Sequence, residues 1–412
     1  MTTAPFRPTL LHRLWRWLPA QSRRRLASQL AATLAPRIEL PAPPARAGVV
    51  VVGELSRPSG LGEGARLMLR GLQELGVATW AIDVGAYLPA AGAMPAAAPV
   101  APPPPGAPLV IHVAAPLLPL VLLRLPRALL RGRRVIGYWA WELPQVTPDW
   151  RAGARLVHEV WAPSAFSAAA LEPLRPGGVR VVGHCLAVAP PLPASLDRGA
   201  FGWPAEAVVV LVSANLASSF ERKNPLGAIA AFRAAFGDRT DRLLVLKIGN
   251  PEHFPVDFDR ITGAVAGAAN IRIDDATYPI ADVHAMMAAA DIVLSLHRSE
   301  GFGLVLAEAM LLGRPVVATG WSGNLAFMDP QSAALVGYRL VAPDDPRQVY
   351  HGAHWAEPDL AEAAAQLRRL ADDAPARRAL GACGQAAARA RLGVAPLAAA
   401  VRDLGLVLDW PD

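Results

Sequence analysis

Residues 299–315 read SEGFGLVLAEAMLLGRP, two glutamates set around a glycine-containing turn. The apolar run before them, DIVLSLHR (291–298), has the length and composition of a buried strand. After the turn, LVLAEAMLLG places Leu304, Glu308 and Leu311 at helical spacing, with Gly313 as the stop. A strand, a tight turn and a helix in that order expose the amides of the helix start, which attract phosphate or another anion. Glu300 and Glu308, with seven residues between them, do not suit phosphate. A ligand using both features carries phosphates and hydroxyls together, as a nucleotide sugar does.

Strand and helix patterns alternate on both sides of this unit. Towards the carboxyl end comes RPVVAT, then Ala-rich helical patterns from 357 to about 404. Before it lie AVVVLVSANL, a helix after Asn224, LLVLKIGN, a helix, NIRID and a helix from Ile280. An earlier series starts at GVVVVG (48–53) and continues through a helix from about Gly62 to Leu75, WAID, LVIHV (109–113) and RRVIGYWAW (133–141). TPDW then opens a helix, with Thr147 as cap and Pro148 at its first position, followed by EVWAPSAF and VRVVGHC (179–185). Such alternation predicts α/β structure with parallel sheets and helices on both faces. The expected division is a basic arm and linker (1–46), an amino-terminal Rossmann-like domain (47–198), a carboxyl-terminal one (199–385) and a last helix (386–412) returning to the first domain. Two doubly wound domains leave a cleft at the carboxyl ends of their strands, where such folds bind ligands.

The chain has 412 residues, 53% apolar and 18% charged, enough for two or three domains with their own cores. Cys185 and Cys383 lie far apart, which excludes a disulfide scaffold and fits a reducing cytoplasm. No secretory signal is read at the start, where Arg7, Arg13 and Arg16 interrupt the apolar runs. The uncharged stretch 107–123 is short for a membrane span and contains Pro116 and Pro119, so it is expected to be a strand followed by a helix. The net charge of +6 is uneven: residues 1–46 hold eight arginines and one acid, Glu39. Leu10, Leu14 and Leu18, then Leu26, Leu30 and Leu34, suggest two amphipathic helices broken at Pro19. With Trp15, Trp17 and Arg23–Arg25 this arm suits either an anionic membrane surface or a packed position with its arginines in water. LPAAGAMPAAAPVAPPPPGAP (88–108) is low-complexity and is expected to form a surface loop.

SSFERKNP (218–225) follows the first strand of the second series, which puts Arg222 and Lys223 at the mouth of the cleft. Adjacent cations of these two kinds can hold a diphosphate, Arg through its fork and Lys as a mobile point charge. The chain has 38 arginines and only two lysines, Lys223 and Lys247, both at strand ends of this half. Against so strong an arginine bias, both lysines are read as parts of one site. SRPSGLGEGARLML (56–69) brings Gly60 and Gly62 to the start of a helix, although its spacing is not the dinucleotide fingerprint. His112, at the end of LVIHV, and Glu142, in YWAWELP, are candidates to face the cleft from the first domain.

Together these residues resemble the retaining, nucleotide-sugar-dependent glycosyltransferases of family 4, with the two-Rossmann GT-B architecture. SEGFGLVLAEAM matches that family's E-x(7)-E motif, and SFERKNP its basic diphosphate-binding loop. SGLGEGAR, GYWAWELP, EVWAPSAF, ATGWSGN and HWAEPDL add further matches, spread over about residues 47–400. The resemblance implies that Glu308 binds the donor's ribose hydroxyls and that Arg222 and Lys223 neutralise the leaving diphosphate. It further implies that Glu300 contacts the donor sugar, that the amides of Phe302, Gly303 and Leu304 complete the site, and that Gly60 and Gly62 close over the donor. No metal and no cofactor is expected. Two departures stand out: NLASS precedes the basic loop where many members carry a further Arg, and YWAWELP lacks the His many members have there. Glu142 or His112 is therefore the candidate to contact the reacting sugar, with Glu300.

The expected activity is transfer of a hexose, mannose or glucose, to a glycan or lipid-linked acceptor in polysaccharide or cell-surface glycan synthesis. The expected setting is the cytoplasm, either free or peripheral on the inner face of the membrane, with no nucleic-acid partner. A non-catalytic nucleotide-sugar-binding scaffold would be expected to have lost Glu300, Glu308, Arg222 or Lys223. A nicotinamide-dependent oxidoreductase would need the missing fingerprint.

Overall fold

The computed structural model describes residues 17, 20–87, 102–350 and 352–408. Leu10, Leu14, Leu18, Trp15 and Pro19, and most of the low-complexity stretch, lie outside the described residues. Two six-stranded parallel sheets organise the rest. The first contains β1 (Val49–Gly53), β2 (Thr79–Asp83), β3 (Leu109–His112), β4 (Val135–Tyr138), β5 (Glu159–Ala162) and β6 (Val179–Val181), in the order β2-β1-β3-β4-β5-β6. The second contains β7 (Val208–Asn215), β8 (Arg242–Gly249), β9 (Ile271–Asp274), β10 (Ile292–Ser295), β11 (Val316–Thr319) and β12 (Ala334–Val336), in the order β12-β11-β10-β7-β8-β9. The β-branched runs behind the inner strands are buried on both faces; in β1, Val49, Val50, Val51 and Val52 are all 0% exposed. That is why they read as continuous apolar segments rather than alternating ones.

Local signals fix the helices that matter. Ser59 caps the Gly60–Glu74 helix by accepting a hydrogen bond from the Gly62 amide at 2.9 Å. Asn224, in left-handed conformation at φ 53°, caps the Pro225–Phe236 helix, with Pro225 at its first position. The helix expected from Pro148 starts later, at Trp150, because the Thr147 hydroxyl is engaged by the Asp149 side chain instead of capping. The stretch 107–123 is β3 followed by the start of the Leu118–Arg124 helix. Among the described residues no helix is long and apolar enough to cross a membrane.

An antiparallel pair, β13 (Tyr338–Val341) with β14 (Trp355–Pro358), interrupts the alternation after β12. It carries Tyr350 and Trp355 into the apolar cluster of the first domain, beside Trp141 and Trp150. The chain passes between the domains twice, and the crossings are tied: the Ala187 amide donates to the Leu392 carbonyl at 3.0 Å. Beyond the second crossing, the Ala395–Asp403 helix places Leu397, Ala398 and Val401 in one apolar cluster with Val49, Val51 and Leu72.

Candidate active site

The cleft is formed by the turn 299–303 and the Leu304–Leu311 helix on one side, and by the Gly60–Glu74 helix with the loops after β4 and β6 on the other. The turn is possible because Gly303 takes φ 98°, where a side chain would be strained. Gly323 lies so close beneath it that a Cβ there would stand 2.1 Å from the Gly301 carbonyl oxygen. Glu300's amide donates to Ser322 Oγ at 2.9 Å, and its carbonyl accepts from the Gly323 amide at 2.8 Å, so its backbone is fixed from ATGWSGN. The first domain contributes Ser164, whose hydroxyl donates to the Gly301 carbonyl at 2.6 Å.

Glu300 lies between two cations, with Lys223 Nζ 2.5 Å from Oε1 and Arg222 Nη1 3.1 Å from Oε2. Burial pushes this carboxyl up, but Lys223 and then Arg222 outweigh it and hold it at about 2. The two cations differ sharply. Arg222 is buried, donating to the Ser299 carbonyl and the Ser218 carbonyl at 2.8 Å each and to Tyr350 Oη at 3.1 Å. Burial opposes its charge, but the oxygens of Tyr350, Glu300 and Glu142 hold it protonated. Its fork therefore faces inward, whereas the Lys223 side chain is 21% exposed.

Glu308 is the opposite case. It sits one turn into the helix, half-buried, and among the described residues its carboxylate has neither an ion pair nor a hydrogen bond. Burial, and then the nearby negative charge of Glu63, push it up to about 8. Glu63 belongs to the Gly60–Glu74 helix, so this carboxyl faces the other domain. Gly60 lies opposite as well, since a Cβ on it would meet Leu304 Cδ1 at 3.9 Å.

The other predicted residues divide. Gly62 is a packing glycine: its amide is spent on Ser59, and a Cβ would clash with the Glu54 carbonyl oxygen at 2.5 Å. Phe302 turns its ring inward against Phe327 and His184, with centroids 5.0 and 4.8 Å away, which leaves only its backbone to a ligand. His112 does not line the cleft. It is 0% exposed and stacked on Tyr138 at 4.2 Å, and burial keeps it neutral. Glu142 reaches towards the site but stands 3.6 Å from Arg222, and its carbonyl accepts from the Ser299 hydroxyl, so it joins the domains. Lys247 is not brought to this cluster: its ammonium lies 3.6 Å from Asp274 and donates to the Ala276 carbonyl at 2.6 Å.

Sequence reasoning missed Tyr350 and His184. Tyr350 comes from an irregular loop with no periodic pattern. His184 fits between Gly64, whose added Cβ would be 2.7 Å away, and the Phe302 ring; burial pushes it down to about 4.

Residues 208–356, most of the second domain and its extension, match the family described as Glycosyl transferases group 1. Solved structures with the same two-domain arrangement include sucrose-phosphate synthase from Thermosynechococcus elongatus, at 15% identity and TM-score 0.63, covering 87% of this chain and 99% of that one. Anabaena Alr3699/HepE in complex with UDP and glucose aligns at 14% identity and TM-score 0.58, covering 87% and 99%. A glycosyltransferase from Rickettsia africae aligns at 12% identity and TM-score 0.61, covering 86% and 97%. No curated protein matches the chain at the sequence level. Fold and match together define a transferase enzyme: the chain has the two-domain GT-B fold, and residues 208–356 carry the Glycosyl transferases group 1 match.

Proposed function

We propose that this enzyme is a retaining hexosyltransferase of the family 4 type that moves glucose or mannose from a nucleoside-diphosphate sugar to a glycan or lipid-linked acceptor. The observation that carries this reading is the Glu308 carboxyl, which has no partner among the described residues and faces the glycine loop across the cleft. A carboxyl so placed weakens the empty protein unless a ligand supplies donors, and a ribose diol supplies two. Polysaccharide or cell-surface glycan synthesis is the setting such a product fits.

The neighbouring residues suit the rest of the donor. Lys223 exchanges Glu300 for the diphosphate and neutralises the charge that develops as the glycosidic bond breaks. The start of the Leu304–Leu311 helix supplies oriented amides and a favourable dipole end for the same phosphates. Glu300, ionised at neutral pH and freed from Lys223, accepts hydrogen bonds from the sugar hydroxyls. With Lys223 and the amides in place, the leaving group is stabilised without a metal. The bound UDP and UDP-glucose named for the Anabaena structures support a nucleotide-sugar donor.

The test is release of nucleoside diphosphate from a panel of UDP-, GDP- and ADP-hexoses, with and without oligosaccharide and lipid-linked acceptors. The expected result is turnover of one donor, with the product keeping the donor's anomeric configuration by NMR. Failure of every donor both to turn over and to raise the melting temperature would remove the proposal.

A further inference from the structure

The Ala20–Leu34 helix is inverted relative to an ordinary surface helix. It turns small residues to the protein: Ser28 and Ala31 are buried, and Ala35, just past its end, joins the cluster containing Leu118, Leu122 and Trp150. Its leucines point the other way, Leu26, Leu30 and Leu34 being 40%, 59% and 68% exposed. Leu40 at 77% and Leu123 at 40% are further exposed leucines in the segments that follow and pack on this helix. An apolar surface of that kind is unfavourable in water and calls for a covering partner.

Charge identifies the partner. Residues 20–40 and 118–134 contain nine arginines and one acid, Glu39. Among the described residues, exposed Arg37, Arg124, Arg127 and Arg131 form no ion pair. Arg37, Arg127 and Arg131 line a groove of about 310 Å³ with Leu34 and Leu130. Glu39, the one acid there, accepts from the Gly132 amide at 3.0 Å and so occupies a fixed place at the rim.

We infer that this face binds the surface of an anionic lipid bilayer, with the leucines entering the acyl boundary and the arginines holding headgroup phosphates. Leucines alone would suit any apolar partner, and arginines alone would suit a nucleic acid. Their combination on one face fits a charged interface with an apolar interior. This inference does not depend on which donor the cleft uses.

The test is co-sedimentation of the full chain with phosphatidylglycerol vesicles and with phosphatidylcholine vesicles at about 0.05 M salt, repeated at about 0.5 M. The protein is expected to pellet with the anionic vesicles only, and to leave them at the higher salt. The triple variant R124E/R127E/R131E should lose about 100-fold in partition, on the order of fivefold per arginine. The triple variant L26S/L30S/L34S should lose tenfold or more. All six positions are exposed, so both variants should keep the unliganded melting temperature. The inference is overturned if the wild type ignores anionic vesicles at low salt or if the arginine variant pellets like the wild type. It is also overturned if the protein binds a single-stranded oligonucleotide that displaces the vesicles while the leucine variant still pellets.

Discussion

Replacing Glu308 by Gln tests the donor site through stability as well as activity. In the folded protein this carboxyl is held at about 8, against 4.5 for a free glutamate. As pH rises from 4.5 to 8, the unfolded chain loses a proton that the folded chain keeps, so stability falls across that window and levels off above it. That difference corresponds to a ceiling of about 5 kcal/mol. Glu308 keeps some open surface, and screening there reduces this to about 2 kcal/mol. Gln has nearly the same shape and no charge. At pH 9 without ligand, Glu308→Gln should therefore melt about 2–4 °C above the wild type, while at pH 5 the two should coincide.

Donor binding should reverse the ranking. Ribose hydroxyls favour the ionised acid, so the wild type should release close to one proton per nucleoside diphosphate bound at pH 7, measured by calorimetry in two buffers. Its affinity should tighten as pH rises from 7 to about 8.5. The variant should show neither effect attributable to this residue and should bind at least tenfold more weakly, from a lost charged hydrogen bond worth roughly 1.5–3 kcal/mol. A variant that gains nothing at pH 9, or that binds the diphosphate like the wild type, refutes the reasoning about Glu308.

Lys223→Arg keeps the charge but replaces a compact ammonium held by Glu300 at 2.5 Å with a planar fork. Steady-state release of nucleoside diphosphate should fall about tenfold, equivalent to ~1.4 kcal/mol of barrier, with an unchanged melting temperature. Unaltered turnover would show that only charge matters at this position. Glu142→Gln should lower turnover by no more than about threefold, since the carboxylate stands 3.6 Å from Arg222 and serves the domain contact; a loss of a hundredfold or more would return it to the reacting sugar. Activity should persist in excess chelator, and a loss restored specifically by magnesium would contradict metal-independent leaving-group stabilisation.

The sheets were legible because their strands are short apolar runs between glycine, proline and capping residues, each a local signal. Asn224 before Pro225, and Ser59 before the glycine-rich helix, are of the same kind. The site was legible only in part. Sequence places Arg222 and Lys223 side by side but does not say which side of a single helical turn faces the core. In the structure, Arg222 faces inward and Lys223 faces the cleft. His112 ends its strand as expected, yet the covering Gly60–Glu74 helix, through Met68, closes it off. Tyr350 reaches Arg222 over 128 residues of sequence, from a loop whose position depends on where β13 and β14 pair. No local pattern encodes such a meeting.

The last helix has a consequence for the order in which the protein is made. Leu397, Ala398 and Val401 share one apolar layer with Val49, Val51 and Leu72, so one face of the first sheet is finished by residues near the chain's far end. On a ribosome, the second domain emerges whole while the first still shows that face to solvent. Its chaperone demand should therefore outlast its own translation, and a chain terminated just before Ala395 should aggregate through its first domain, although every strand of that domain has been synthesised.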